Sequence, residues 1–193
     1  HGGSINSLAR ETDSCQSAIV ILAGDIGGTK VNLASFDVDD RGLTSRVNAT
    51  YSSREHSSLD DIVRVFTTTN RLQPEYACFG IAGPVQRGRA RLTNLEWTVD
   101  ATELARSLGL KQVWLINDLE ANAHGIGGLV PADFVELNRG GDRAVGNLAV
   151  IAAGPGLGEA GLLWDGPRHL GIPSEGGATD FAPRTDPEME LPR

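Results

Sequence analysis

The sequence is short of sulfur and of aromatic rings: its 193 residues include two cysteines, one methionine and only 5% Phe, Trp and Tyr. Cys15 lies in a polar leader and Cys78 in the apolar run Ala77-Cys78-Phe79-Gly80-Ile81. Neither a disulfide framework nor a Cys-based zinc site is therefore expected, and a reducing cytoplasm fits best. Histidine is scarce too. His1, His56, His124 and His169 form no pair at ligand spacing, which argues against a His metal site. No run approaches the roughly 18 consecutive apolar residues that span a bilayer, and the N-terminus lacks the basic-then-apolar order of a secretory signal. A formal net charge of −8 with no block of like charges makes nucleic-acid and membrane partners unexpected.

Glycine, by contrast, is plentiful. The 24 glycines fall in clusters between apolar runs rather than at a fixed period, which excludes a collagen-like chain and marks tight turns and close backbone approaches. With 40% hydrophobic residues the length suffices for one core, or for one domain and part of another. The sole methionine is Met189, so residue 1 is not expected to be an intact translation start.

Residues 1–17 have no hydrophobic period and read as a disordered leader or an expression remnant. Ala18 to Ala23 is a continuous β-branched apolar run, the pattern of a central strand covered on both faces. Lys30 to Val38 alternates as a second strand, with a hairpin partner from about Leu43 to Ser52. Leu59, Ile62, Val63 and Phe66 behind Ser58 predict a capped helix from about Leu59 to Arg71. Glu75 to Ala82 is strand-like, an Arg/Gly-rich loop follows, and Asp100 with Glu103 opens a helix that Gly109 stops. Gln112 to Ile116 is a further strand, with Asn117-Asp118 at its end, where open α/β sheets place ligands. After a loop around Pro131, Leu148 to Ala153 begins a second strand-rich block, and Leu162-Leu163-Trp164 enters an Asp165-Gly166 turn.

Gly24-Asp25-Ile26-Gly27-Gly28-Thr29-Lys30 joins the first two strands. Adjacent glycines let backbone N–H groups approach an anion, Thr29 adds a hydroxyl, and Asp25 could hold a metal or its water shell. A strand follows Lys30, so this is not a Walker loop, and an ordinary glycine hairpin turn is the competing reading. Asn117-Asp118 offers a carboxylate to take a hydroxyl proton and an amide to bind a neighbouring hydroxyl; a helix cap is the alternative. Glu175 on the turn Pro173-Ser174-Glu175-Gly176-Gly177 suits a pair of hydroxyls, against the default of a solvated loop acid. Gly156-Leu157-Gly158-Glu159-Ala160-Gly161 matches a dinucleotide fingerprint in spelling, with Asp180 about 20 residues on, but the Asp165-Gly166 turn comes too soon for the helix that motif needs. Trp97 and Trp164 read as packing residues.

Leu22-Ala23-Gly24-Asp25-Ile26-Gly27-Gly28-Thr29-Lys30, Phe79-Gly80-Ile81-Ala82-Gly83-Pro84-Val85, Leu92-Thr93-Asn94, Ile116-Asn117-Asp118-Leu119, and Ser174-Glu175-Gly176-Gly177 with Asp180-Phe181-Ala182-Pro183 stand in one order along the chain. Together they resemble the bacterial glucokinase family. The resemblance implies the α/β actin-like ATPase (ribonuclease-H-like) sugar kinase fold, and transfer of the ATP γ-phosphoryl group to the 6-hydroxyl of glucose. It casts Asp118 as the catalytic base and Asn117, Glu175, Thr93 and Asn94 as sugar ligands. Gly24, Asp25, Gly27, Gly28, Thr29, Gly154 and Gly156 become ATP-binding residues, with Asp25 near Mg²⁺ through water. Glucose and ATP are the expected partners, and a homodimer of the full-length protein is compatible with the family.

The implied organisation is a leader (1–17), a small N-terminal α/β domain carrying the phosphate turn and the catalytic Asp (18–130), and the opening of a larger C-terminal domain (131–193). Three departures stand out. Pro155 replaces the family's Thr and lacks an N–H donor. Ala178 replaces a sugar-binding His, at a cost of roughly 0.5–1.5 kcal/mol, up to about 3 if a polar partner is left buried. Similar kinases also continue well past Arg193, so this chain alone is expected to be a poor or inactive kinase. Two other readings stay open: a non-catalytic sugar-binding or regulatory relative, and a kinase for another substrate on the same fold.

Overall fold

The computed structural model describes residues 18–92, 95–141, 146–154 and 156–179. The leader, Thr93, Asn94, Pro155 and the Asp180 to Pro183 segment lie outside the described residues, as does the side chain of Ala178.

The first apolar run becomes β1 (Ile19–Ile26), followed by β2 (Lys30–Asp39) and β3 (Gly42–Ser52) in an antiparallel meander. Helix α1 (Leu59–Thr69) starts where Ser58 accepts the Asp61 N–H, and buries Leu59, Ile62, Val63 and Phe66. Strand β4 (Tyr76–Ile81) then runs parallel to β1. The stretch expected to be an Arg/Gly-rich loop is instead a small antiparallel sheet of β5 (Val85–Gln86), β6 (Arg89–Leu92) and β7 (Trp97–Asp100). Its strands are only a few residues long, and its first turn puts Arg87 at φ 52° and Gly88 at φ 72°. Arg-Gly is not among the usual signals for such a turn, so the hairpin left little trace in the sequence.

Helix α2 (Ala101–Leu108) is capped by the Asp100 carboxylate, which accepts the Thr102 and Glu103 N–H groups, and ends at left-handed Gly109. Strand β8 (Gln112–Asn117) pairs parallel with β4. Helix α3 (Asp118–Gly125) follows at once, and β9 (Leu148–Ala153), β10 (Leu157–Trp164) and β11 (His169–Ser174) form a separate antiparallel sheet. The Gly156 to Gly161 motif lies largely along β10, with no helix after it.

The main sheet has the order β3-β2-β1-β4-β8. Its core lies on one face, where Leu22, Ile26, Leu33, Phe79 and Leu115 meet residues of α1 and α2. The expectation that β1 is covered on both faces therefore needs correcting: Leu22 and Ile26 are buried, whereas Ile19 and Asp25 are exposed. The other face carries small residues, Ala23, Ala34, Cys78 and Gly80, which line a concavity of about 560 Å³. Helix α3 covers its end and bridges to the second sheet, since Ala121 faces Gly80 while Leu119 faces Gly158.

Candidate active site

Three parallel strands end level with one another: Ile26 of β1 is in register with Ile81 of β4, and Ile81 with Asn117 of β8. The loops leaving these ends carry the sequence motifs, at the edge where α/β sheets bind ligands.

The turn after β1 is fixed from within. Gly27 N–H donates to the Lys30 carbonyl at 2.9 Å, and the Ser53 hydroxyl donates to the Gly27 carbonyl at 2.9 Å. Ser53 N–H adds a bond to the Thr29 carbonyl at 3.0 Å. The turn is thus both a hairpin connection and a rigid loop, with the Gly28 and Thr29 N–H groups lacking a protein acceptor among the described residues. Gly24 has a packing reason of its own. A Cβ there would come within 2.7 Å of the Phe79 ring and 2.8 Å of Leu33.

Asp25 sits on the open face, where Asn32 Nδ2 donates to its Oδ2 at 3.1 Å and Thr50 in turn donates to Asn32 Oδ1 at 2.8 Å. Its register partner across β4 is Gly80, whose own partner is Ile116. Two strand spacings, about 9.6 Å, therefore separate the Asp25 position from that of Ile116. An exposed carboxylate held by one amide keeps acceptor capacity for a hydrated Mg²⁺, an ion that takes only one or two protein carboxylates beside phosphates and water. Cys78 lines the same concavity. Burial, with Glu120 adding to it, pushes its thiol pKa up, which favours the protonated form.

Asn117 is 6% exposed and caps α3: its Oδ1 accepts the Leu119 N–H at 2.9 Å and the Glu120 N–H at 3.3 Å. Its Nδ2 donates to the Gly83 carbonyl at 3.2 Å, tying the loop after β4 to the end of β8. Gly83 stands at φ 138°, a conformation that favours glycine. The capping alternative is thus correct for Asn117, and one N–H of its amide remains for a ligand. Asp118 is the first residue of α3, and the positive end of the helix dipole faces the same space.

That space is a cleft of about 520 Å³ between the two sheets. It collects Asn117, Asp118, Gly154, Gly156 and Glu175 from distant parts of the chain. Gly24 and Asp25 line the neighbouring concavity instead, while Gly27, Gly28 and Thr29 share the sheet edge but line neither cavity. The Gly154 N–H is occupied by the Gly156 carbonyl at 2.9 Å, which closes the turn between β9 and β10. Sequence reasoning missed one cleft residue, Glu159. It sits inside the fingerprint-like motif, and rejecting that motif as a dinucleotide site removed the only signal that could have drawn notice to it.

The family model described as Glucokinase matches residues 22–193. The glucokinase of Nostoc punctiforme is 41% identical over 174 residues, covering 89% of this chain and 51% of that protein. The glucokinase of Psychromonas ingrahamii is 37% identical over 172 residues, covering 89% and 53%. Among solved structures, a glucokinase from an Antarctic psychrotroph superposes with a TM-score of 0.76 at 30% identity, over 89% of this chain and 54% of that one. Glucokinase from Balamuthia mandrillaris in complex with glucose gives a TM-score of 0.64 at 21% identity over 90% and 52%, a likeness of fold. The chain spans about half the length of the curated relatives it matches. Its α/β architecture is the actin-like sugar kinase fold, and the chain belongs to the glucokinase family.

Proposed function

We propose that this chain supplies the sugar-binding and hydroxyl-activating part of an ATP-dependent glucokinase. The observation that carries the reading is the single cleft holding Asp118, Asn117 and Glu175, which come from the end of β8, the start of α3 and the turn after β11. A primary alcohol is a weak nucleophile, so phosphoryl transfer needs a fixed carboxylate at the attacking oxygen and donors that absorb phosphate charge.

In this reading Asp118 accepts the proton of the glucose 6-hydroxyl as that oxygen bonds to the γ-phosphorus and ADP leaves. The free N–H of Asn117 and the carboxylate of Glu175 hold neighbouring sugar hydroxyls, with Thr93 and Asn94 assigned the same task by family resemblance. Gly28 and Thr29 donate to phosphate oxygens at the common strand edge, and Gly154 and Gly156 line the nucleotide side of the cleft. Asp25 would hold Mg²⁺ through water, and the ion would neutralise charge on the phosphates. Residues 18–130 then form the smaller domain and residues 131–193 the opening of the larger one. Among the described residues no helix is long and apolar enough to cross a membrane, and we assign the protein to the cytoplasm.

Calorimetry with glucose and with ATP and Mg²⁺, together with an ADP-release assay, on the full-length protein and its Asp118→Asn variant tests the assignment. The variant should bind glucose within a few-fold of the parent and lose about 10²–10⁴ in turnover. Equal turnover would remove Asp118 as the base, and glucose binding without turnover by the parent would favour a non-catalytic sugar-binding relative.

A further inference from the structure

Glu159 stands in β10 and lines the cleft, yet it belongs to none of the motifs that carry the sugar site. The Ser174 hydroxyl donates to its Oε2 at 3.5 Å, and the same hydroxyl oxygen accepts the Gly176 N–H at 3.0 Å. A Cβ on Gly176 would collide with Glu159 Oε2, and one on Gly177 would collide with the Leu157 carbonyl oxygen. The turn after β11 is therefore seated directly on β10: Gly177 has no room for a side chain against the Leu157 backbone, while Gly176 meets the movable end of the Glu159 side chain. The residue between these two contacts, flanked by Ser174 and Gly176, is the exposed Glu175.

A glutamate on a surface turn must order both its backbone and its side chain when it binds a ligand, and both losses of freedom oppose binding. A partly buried carboxylate that holds the chain on either side removes the backbone share beforehand. We propose that Glu159 is a positioning residue: through the Ser174 hydroxyl and the Gly176 backbone it sets the turn that presents Glu175 to hydroxyls in the cleft. This rests on Glu175 being a sugar ligand, and Glu159 itself does not touch the sugar.

The test combines backbone amide exchange over residues 174–177 with glucose affinity by calorimetry, on the full-length protein. Glu159→Ala should speed exchange at Gly176 and Gly177, leave β9 and β10 unchanged, and weaken glucose binding about ten-fold. Glu159→Gln keeps an acceptor oxygen and should retain most of both properties. In a Glu175→Ala background, Glu159→Ala should cause no further loss of affinity. A ten-fold loss that persists in that background would mean that Glu159 contacts the sugar directly, and would overturn the proposal. Unchanged exchange and affinity would overturn it, as would faster exchange throughout β9 and β10. The exchange arm needs no sugar, so faster turn exchange in Glu159→Ala beside a parent that binds no glucose would sink the sugar reading of Glu175 and leave the seating of the turn on Glu159 standing.

Discussion

The Cα of Asp118 lies 3.6 Å from the point a Cβ would occupy on Gly80, and the Ala121 Cβ is closer still, at 3.0 Å from it. The first turn of α3 thus rests on a bare stretch of β4, and the absence of one side chain sets the height of the proposed base above the sheet. Gly80→Ala should push α3 outward, costing about 1–3 kcal/mol in a denaturant melt. Turnover should fall by more than the lost stability explains. Adding Ala121→Gly should recover stability, and failure to do so would show that the strain lies elsewhere.

Asn117 offers a graded test of the cap. Asn117→Ala removes both the cap of α3 and the tie to Gly83, for a loss of about 0.5–2 kcal/mol from the cap alone. Asn117→Asp keeps the capping acceptor and loses the donor to Gly83, so it should melt between the parent and the alanine variant. Glucose affinity should nevertheless fall in both, because both lack the amide N–H that remains for a ligand.

Ser35 is fully buried on β2, and its Oγ has no hydrogen-bond partner among the described residues. Such a hydroxyl costs about 1–3 kcal/mol relative to a satisfied one. Ser35→Ala should therefore hold or raise the melting temperature. A clear drop would reveal a partner for the hydroxyl.

Asp100 carries the pH dependence that is easiest to isolate. The Glu103 N–H foremost, then the Arg89 side chain, holds its carboxyl below the usual carboxylate range. Because the folded value lies below the unfolded one, the stabilisation is complete above about pH 4 and disappears as the pH falls through the folded value. Asp100→Asn should be less stable than the parent at neutral pH. The two melting temperatures should converge under acid, and a gap that is constant from neutral to acid pH would show that the charge contributes nothing.

Where elements begin and end was legible because the chemistry that decides it acts within a few positions. Ser58 finds the Asp61 N–H, Asp100 finds those of Thr102 and Glu103, and Gly109 takes the left-handed conformation that stops α2. The alternation of β2 likewise separated Val31, Leu33 and Ser35 from Asn32, Ala34 and Phe36, but which side is buried, and that β1 is covered on one face only, followed from the packing of the sheet. Contacts between distant residues follow another logic. The Asn117 amide meets a carbonyl 34 residues earlier, the Ser174 hydroxyl meets a carboxylate 15 residues back, and Gly80 admits a helix that the apolar pattern barely marks. Each depends on strand register and on which face of a sheet remains open, and these are settled only when the whole chain packs. For that reason the motifs could name Asp118, Asn117 and Glu175 in advance, whereas their meeting in one cleft, with Glu159 beneath the turn, was decided by the tertiary fold.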